Sequence, residues 1–337
     1  MAARGKARHR AAVIGCGRIG SLYNELKPDG DVYSHAAAYR RHPKTDLVAL
    51  ADADAGRAEA AAAHWHVAHA HTDVGDMLDR HAPEIVSICS PDALHGAHLA
   101  MALSAPATRA ILCEKPLVLD PRDGESLLAR AEKRGVHLSV NHIRRFDRGH
   151  RKAGELIRDG ALGRIQSAIG HYSGGVTNNG SHMLDLFRHW FGEVEELGAV
   201  DRLGEPGDDP TLDVALRFGS GPAARMIGHD AGAFHIFEID ILGDEGRLRL
   251  TETGHRITHQ AVSASERYPG ARELGAARVL SRRMKDTTLH AVEDLVACAE
   301  GRRPAPACPA HDALAATTLA ARAIAAARLA PVRMARG

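Results

Sequence analysis

Two short segments, well separated in the chain, hold the side chains best suited to chemistry. The first is Cys113-Glu114-Lys115-Pro116, and the second runs from Asn178 to Asp185 and contains His182. A glycine-rich turn, Gly15-Cys16-Gly17-Arg18-Ile19-Gly20, precedes both. The turn indicates a dinucleotide site. A lysine and a later histidine indicate what is done there, which is oxidation or reduction of a hydroxyl-bearing carbon.

The glycine-rich turn has a physical logic. The first glycine permits a tight turn, the second lets the backbone approach a pyrophosphate, and the third lets helix and strand pack closely. The residues of the turn that are predicted to bind the dinucleotide are Gly15, Gly17, Arg18, Ile19 and Gly20.

An acidic residue should follow the second strand and bind the ribose hydroxyls, and Asp52 is placed to do so. A carboxylate there favours NAD over NADP, because it would repel a 2′-phosphate, although Arg57 could weaken this preference. Asp52 lies further from the turn than is usual, since the turn-rich stretch Ser21–Tyr33 interrupts the first helix. That stretch is either a surface loop or a flap that shapes the substrate pocket.

Hydride transfer from an alcohol requires the hydroxyl proton to leave. Histidine suits this role because its pKa lies near neutrality, so His182 is the candidate base. The ammonium group of Lys115 would stabilise the developing alkoxide. If residues 180–190 are helical, Asp185 lies one turn from His182 and could orient its ring. The alternatives are a His182 that only caps or packs and a Lys115 that is merely solvated.

Elements that could position these residues alternate along the first part of the chain. Predicted strands are Ala11–Ile14, Leu47–Ala51, Ile85–Cys89, Ala110–Cys113 and Val136–Val140, and the helical stretches between them include Ala55–Trp65 and Pro121–Arg134. Continuous apolar strands alternating with helices predict an α/β domain with a parallel, doubly wound sheet. The candidate residues follow the strands, and such sheets bind ligands at that edge.

The pattern changes in the second part, where a mostly antiparallel sheet without long helices is predicted. Its strands are Arg164–Tyr172, Thr211–Phe218, Ala223–His229, Phe234–Leu242 and Gly246–Thr251, followed by the helices His290–Glu300 and His311–Arg328. We therefore predict a disordered basic tail over 1–10, a dinucleotide-binding domain over 11–145 and an α+β substrate domain over 146–337.

Together with Ser90-Pro91 and His95, these motifs resemble the Gfo/Idh/MocA family (glucose–fructose oxidoreductase, inositol dehydrogenase, rhizopine catabolism). The resemblance covers nearly the whole chain. It implies an NAD(P)-binding Rossmann domain followed by an open sheet that carries the substrate site and an oligomer interface. It also implies that Lys115, before a cis-proline, lies near the nicotinamide and that His182 is the general acid/base. Implied cofactor contacts outside the turn are Asp52, Ser90, Pro91, His95, Glu114 and Lys115.

One position departs from the family pattern. Dehydrogenases of the inositol type carry an aspartate four residues before the histidine, where this chain has Asn178. An amide can hydrogen-bond a sugar hydroxyl but cannot accept its proton. Asn178 is therefore predicted to bind substrate, and the acid/base role falls more heavily on His182 and Lys115.

Weaker candidates surround these. Ser90 is predicted to cap a helix whose first residue is Pro91. Arg145 is either a substrate contact or part of a salt bridge between the domains, and Tyr172 either lines the pocket or packs in the core. The predicted substrate contacts are Lys115, Arg145, Tyr172, Asn178, His182 and Asp185.

Three functions remain open at this point. The first is an NAD(P)-dependent oxidoreductase acting on a ring hydroxyl or ketone of a sugar, cyclitol or sugar nucleotide. The second is a redox-neutral epimerase, lyase or glycosidase that oxidises its substrate transiently. The third is a regulator that binds a dinucleotide without catalysis, which the retention of Lys115 and His182 disfavours.

Composition excludes other classes of protein. Lysine and arginine number 43 against 42 acidic residues, so no excess charge favours nucleic acid or membrane as a partner. Five scattered cysteines favour a reducing cytoplasm over a disulfide framework. The group His64, His66, His69 and His71 lacks a completing carboxylate or thiolate, so no metal is expected. The sheet of the second domain is expected to pair subunits into a homodimer or homotetramer.

Overall fold

The computed structural model describes residues 8–26 and 30–329 of the 337-residue chain. These residues form two compact units. The first is the chain up to Phe146 together with Lys285–Leu314, and the second is Asp147–Met284 together with the chain from Ala315. The predicted boundary after residue 145 lies one residue from this division, but Lys285–Leu314, which the prediction placed in the second domain, packs in the first unit.

The first unit contains a six-stranded parallel sheet in the order β3-β2-β1-β4-β5-β6. Its strands are β1 (His9–Ile14), β2 (Thr45–Ala51), β3 (Ala70–His71), β4 (Ile85–Ile88), β5 (Ala110–Cys113) and β6 (His137–Val140). The five predicted strands are thus confirmed, and the two-residue β3 lies within the histidine group. Residues 1–7 of the predicted tail lie outside the described residues, whereas His9 and Arg10 belong to β1.

Helices cover both faces of this sheet. They are α1 (Tyr23–Leu26), α2 (His35–Arg41), α3 (Ala55–Trp65), α4 (Val74–His81), α5 (His95–Ala102) and α6 (Pro121–Arg134). Asp54 caps α3 by accepting a hydrogen bond from the Arg57 N–H, and Asp120 caps α6, where Pro121 is the first residue. These caps explain why the predicted bounds of α3 and α6 are correct.

The stretch Ser21–Tyr33 does interrupt the first helix, as predicted. A π-helical turn, Arg18–Leu22, continues into α1, and α2 begins only at His35. The surface-loop interpretation is wrong for its end, because Asp31 and Val32 are each only 4% exposed. Residues 27–29 lie outside the described residues.

The second unit is built on a nine-stranded sheet with the order β14-β13-β12-β11-β7-β10-β9-β8, in which β15 also pairs with β13. The strands are β7 (Ile165–Ser173), β8 (Val194–Val200), β9 (Asp213–Phe218), β10 (Ala223–His229), β11 (Phe237–Gly243), β12 (Gly246–Thr251), β13 (Arg256–Ala264), β14 (Arg272–Leu274) and β15 (Arg278–Ser281). The sheet is mostly antiparallel, as predicted, but β7 and β10 are parallel.

Four further helices complete the described chain. They are α7 (Arg148–Arg158), α8 (Gly180–Phe191), α9 (Thr287–Ala299) and α10 (Ala310–Leu329). Helix α7 was not predicted, and α8 covers residues 180–190, the segment whose helicity places Asp185 one turn from His182. Gly170 on β7 lets α8 approach the sheet, since a Cβ there would lie 2.0 Å from the Met183 sulfur. No helix within residues 8–26 and 30–329 is both long and apolar enough to cross a membrane.

Candidate active site

The glycine-rich turn follows β1 at the carboxyl edge of the parallel sheet. A Cβ at Gly15 would lie 2.5 Å from the Cys89 backbone, and one at Gly20 would lie 1.9 Å from the Gly15 carbonyl oxygen. Gly15 also has a φ of +94°. A Cβ at Gly17, by contrast, would meet no described atom within 4 Å. Two glycines therefore close the turn, and the third leaves open space above it.

A cleft lies beside the turn at this edge of the sheet. This cleft of about 270 Å³ is lined by Gly15, Asp52, Arg57, Ser90, Pro91 and His98, among others. The Asp52 carboxylate accepts a hydrogen bond from the Cys16 N–H at 2.8 Å, so the acidic residue lies beside the turn as predicted. Arg57 Nη1 lies 3.3 Å from Asp52 Oδ1, and 45% of the Arg57 side chain is exposed.

The turn after β4 differs from the prediction. Ser90 does not cap a helix; a 3₁₀ turn starts at Asp92, and its capping position is occupied by Pro91, which offers no side-chain bond. The Ser90 hydroxyl instead lies 2.8 Å from His98 Nδ1. Ser90 and Pro91 nevertheless line the cofactor cleft.

His95 is fully buried. Its Nδ1 lies 2.6 Å from the Pro116 carbonyl oxygen, and its Nε2 lies 2.9 Å from the Ser90 carbonyl oxygen. A buried ring offers no surface to a dinucleotide, so the predicted cofactor contact is corrected: His95 joins the turn after β4 to the segment that carries Lys115.

The Glu114-Lys115-Pro116 segment follows β5, and the Lys115–Pro116 peptide bond is cis. Glu114 Oε1 accepts hydrogen bonds from Asn141 Nδ2 at 2.6 Å and from His35 Nε2 at 3.0 Å. Burial raises the pKa of Glu114, but these hydrogen bonds and the charge of Lys115 outweigh it and hold the pKa below its usual value. Glu114 is therefore an ionised carboxylate beside Lys115, which is half-buried. Sequence reasoning missed His35.

In the second unit, α8 carries His182 and Asp185, which are 8% and 2% exposed. The condition that residues 180–190 are helical is therefore met. Tyr172 is fully buried, and its hydroxyl donates to the Leu212 carbonyl oxygen at 2.8 Å. Of the two interpretations of Tyr172, this geometry is core packing, not pocket lining. A Cβ at Gly180 would lie 2.9 Å from the Tyr172 ring, so Tyr172 supports the first turn of α8.

Asn178 is exposed in the π-helical turn Gly175–Asn179 that leads into α8. The carboxylate of Asp209 holds this turn by accepting from the Thr177 N–H at 2.6 Å and the Asn178 N–H at 2.9 Å. Sequence reasoning missed Asp209. Its position before Pro210 indicates only a turn, and nothing local connects it with a segment about thirty residues earlier.

Arg145 is 5% exposed, and its Nη2 donates to the Ala307 carbonyl oxygen at 2.7 Å and to Asp312 Oδ2 at 2.9 Å. The predicted salt bridge exists, but both partners belong to the first unit, so it is not a bridge between domains.

In the histidine group, His71 contacts Asp76 Oδ2 at 3.0 Å and His81 Nε2 at 2.8 Å. His64, His66 and His69 are exposed. Within the described ranges, no three His, Cys, Asp or Glu side chains are arranged to hold a metal ion.

Two family profiles cover most of the sequence. Residues 9–142 match the oxidoreductase family with an NAD-binding Rossmann fold, and residues 155–331 match the C-terminal alpha/beta domain of the same family. The chain belongs to the Gfo/Idh/MocA oxidoreductase family. The predicted family, fold class, NAD cofactor and dehydrogenase activity are thereby confirmed. This Gfo/Idh/MocA protein is an NAD(P)-dependent oxidoreductase.

Its relatives include dehydrogenases of cyclitols. It is 29% identical to the myo-inositol 2-dehydrogenase of Thermotoga maritima over 286 residues, 77% of this chain and 81% of that one. It is 32% identical to the inositol 2-dehydrogenase of an Arthrobacter species over 264 residues, 70% of this chain and 74% of that one. The fold matches that of levoglucosan dehydrogenase in complex with NADH and L-sorbose, with a TM-score of 0.79, 19% identity and coverage of 96% and 98%.

Proposed function

We propose that this protein transfers a hydride between NAD and a ring hydroxyl or ketone of a sugar, cyclitol or sugar nucleotide. The observation that carries the proposal is the placement of Lys115. It follows β5 at the same sheet edge as the Gly15 turn and Asp52, next to an ionised Glu114. The named activities of the inositol dehydrogenases support the substrate class.

Each proposed catalytic residue has one task. The bound nicotinamide supplies a two-electron hydride acceptor. His182 takes the hydroxyl proton as the C–H bond of the alcohol breaks, and it returns that proton in the reverse reaction. The Lys115 ammonium stabilises the negative charge that develops on the oxygen. Asp185, one turn from His182 on α8, orients the imidazole, and Asn178 hydrogen-bonds a neighbouring hydroxyl.

The cofactor preference follows from Asp52. Its carboxylate lies beside the turn and lines the cleft, so a 2′-phosphate would meet a negative charge there. Arg57 is close enough to offset part of that repulsion. We therefore propose NAD as the preferred cofactor, with residual use of NADP.

The test is NADH fluorescence with a panel of inositols, free sugars and sugar nucleotides, with NAD and NADP in parallel. We expect NADH to appear with one substrate class and to be lost in His182→Ala and Lys115→Ala. His189→Ala is a matched control, because His189 is an exposed histidine on the same helix. If substrate is altered while NADH stays flat, the redox-neutral function replaces this one.

We also propose that the nine-stranded sheet pairs subunits into a homodimer or homotetramer. One face of the sheet is buried within the unit, whereas Ile169 on the other face is 38% exposed, with Ile227 and Leu242 partly exposed nearby on neighbouring strands. Apolar surface of this kind is costly in water. Light scattering that finds a monomer at micromolar concentration would contradict the assembly. The five cysteines are free and buried, which supports the expected cytoplasmic location.

A further inference from the structure

A line of polar side chains crosses the otherwise apolar interior of the first unit and ends at Glu114. The Tyr39 hydroxyl lies 2.7 Å from the Ser87 hydroxyl, which lies 2.8 Å from His35 Nδ1. His35 Nε2 lies 3.0 Å from Glu114 Oε1. Tyr39, Ser87 and His35 are each 0% exposed. Burying so many polar groups is costly unless each is hydrogen-bonded, and here they bond one another.

The hydrogen bonds in this line have one consistent direction. An ionised Glu114 can only accept, so His35 donates to it from Nε2. A neutral ring then accepts at Nδ1 from the Ser87 hydroxyl, which in turn accepts from the Tyr39 hydroxyl. Burial raises the pKa of Tyr39, so its hydroxyl keeps the proton that it donates. A second ring proton would reverse the Ser87 bond, so that Ser87 accepts from both His35 and Tyr39 and its own hydroxyl proton has no acceptor in the line.

Helix α2 and the segment before it fix the positions of the side chains in this line. His35 and Tyr39 lie one turn apart on α2, so both reach Ser87 from the same helix face. Asn24 holds the segment just before α2, accepting from the Tyr33 and Ser34 N–H groups at 2.8 Å each. The interruption of the first helix thus ends in a fixed turn that places His35 at the start of α2.

The line of hydrogen bonds ends at the negative charge of Glu114. The facing ionisable groups are His35 from α2, Lys115 from the same segment, and the thiols of Cys89 and Cys113. Burial and the charge of Glu114 raise the pKa of both thiols well above its usual value, so they stay neutral. Lys115 follows Glu114 directly in the chain, and its positive charge adds to the effect of His35 and Asn141 in holding the pKa of Glu114 low.

We propose that His35, supported by Ser87 and Tyr39, is a positioning residue for the proposed catalytic Lys115. The directed line fixes one orientation of the Glu114 carboxylate, and the carboxylate is a fixed counter-charge for the ammonium that faces the substrate oxygen. Hydrogen bonds in such a line polarise one another, so the effect reaches Glu114 from Tyr39. This inference rests on the proposed function of Lys115.

Two substitutions of His35 test the hydrogen bonds of its two ring nitrogens separately. The Asn amide in His35→Asn reproduces the Nδ1 position and loses the donor to Glu114. The Gln amide in His35→Gln places a donor at the Nε2 position and loses the contact with Ser87. We expect His35→Asn to lower kcat by about tenfold to a hundredfold, the range for a hydrogen bond to a charged group. His35→Gln should stay within about threefold of the wild type, with KM and the Kd for NAD unchanged in both.

Matched controls keep a structural defect apart from a positioning effect. His64→Asn makes the same change at an exposed histidine on α3 and should leave kcat unchanged. The unfolding temperature should fall by a similar amount in the two His35 variants, because each removes one hydrogen bond from the buried line. The proposal is overturned if His35→Asn retains wild-type kcat, or if His35→Gln loses as much activity as His35→Asn.

A second readout does not depend on turnover. Nitrogen-15 NMR of histidine-labelled protein, with the His35 signals assigned by their absence in His35→Gln, should show a neutral ring protonated at Nε2. A ring protonated on both nitrogens, or at Nδ1 alone, would contradict the direction of the hydrogen bonds in this line and overturn the proposal. If the wild type produces no NADH with any substrate but the Nε2–H ring is found, the proposed function fails while the hydrogen-bonded line stands.

Discussion

Gly17 and Gly20, both in the turn after β1, should respond oppositely to the same small change. Gly17→Ala adds a methyl group where no described atom lies within 4 Å, and Gly17 has an ordinary φ of −70°. Gly20→Ala adds the same group 1.9 Å from the Gly15 carbonyl oxygen. The first change should therefore disturb the ligand but not the protein, and the second should disturb the protein.

The magnitudes follow from these contacts. Replacing glycine by alanine at an unstrained position stabilises the fold by about 0.4–1 kcal/mol. Overpacking costs about 1–3 kcal/mol, and Gly20→Ala should reach the upper end because only backbone atoms can move. At about 2–4 °C per kcal/mol, the unfolding temperature should fall by roughly 6–12 °C in Gly20→Ala and stay constant or rise slightly in Gly17→Ala. The Kd for NAD should rise by at least about tenfold in Gly17→Ala, because the methyl group occupies the approach of the pyrophosphate.

Thermal unfolding and NADH fluorescence titration, run side by side, measure both effects. Gly96→Ala on α5 is the control, since its Cβ would meet only Val118 Cγ1 at 3.7 Å. It should raise the unfolding temperature and leave NAD binding unchanged. Wild-type affinity for NAD in Gly17→Ala would refute the placement of the dinucleotide above Gly17. An unchanged unfolding temperature in Gly20→Ala would refute the packing argument.

Three other perturbations have defined outcomes. Asp52→Ser should shift the ratio of kcat/KM values toward NADP by about five- to tenfold, because it removes about 1 kcal/mol of repulsion of the 2′-phosphate; an unchanged ratio would contradict this. The hydrogen bond from Lys44 lowers the pKa of Glu300 from 4.5 to about 2, so Glu300 stabilises the fold above pH 4.5 and loses this contribution as the pH falls toward 2. Urea unfolding at pH 7 and pH 3 should show a smaller loss of unfolding free energy on acidification in Glu300→Gln than in the wild type. Equal losses would show that the Lys44–Glu300 ion pair does not stabilise the fold. Asp209→Ala frees the turn before His182 and should lower kcat with no change in the Kd for NAD; a weakened Kd would show a wider structural defect.

The first domain could be predicted from sequence because its signals are local. Continuous apolar runs marked the strands, and an aspartate cap marked the start of both α3 and α6. Since all strands are parallel, one rule places their carboxyl ends together, and this rule collected Gly15, Asp52 and Lys115 at one edge.

The second domain was predicted less well, partly because a local signal was overlooked and partly because its other features depend on long-range contacts. Helix α7 carries Ala153, Leu156 and Ile157 at helical spacing after an Asp147 cap, so a local signal existed there and was overlooked. Alternating apolar residues read the same in parallel and antiparallel pairs, so the parallel pairing of β7 with β10 left no local signal. The return of Lys285–Leu314 to the first unit depends on long-range packing, in which Val292 and Leu295 of α9 join the core around Tyr39.

The hydrogen-bonded line from Tyr39 to Glu114 was predictable from the sequence only in part. Ser87 is the polar residue of the fully buried strand Ile85–Ile88, and a buried hydroxyl requires a hydrogen-bond partner. His35 and Tyr39, one turn apart on a short helix, are a pair that could supply it from one face. The sequence therefore contains both halves of the contact. What it lacks is the information that the side chains of α2 reach Ser87 on β4, because this contact joins residues 52 and 48 positions apart in the chain.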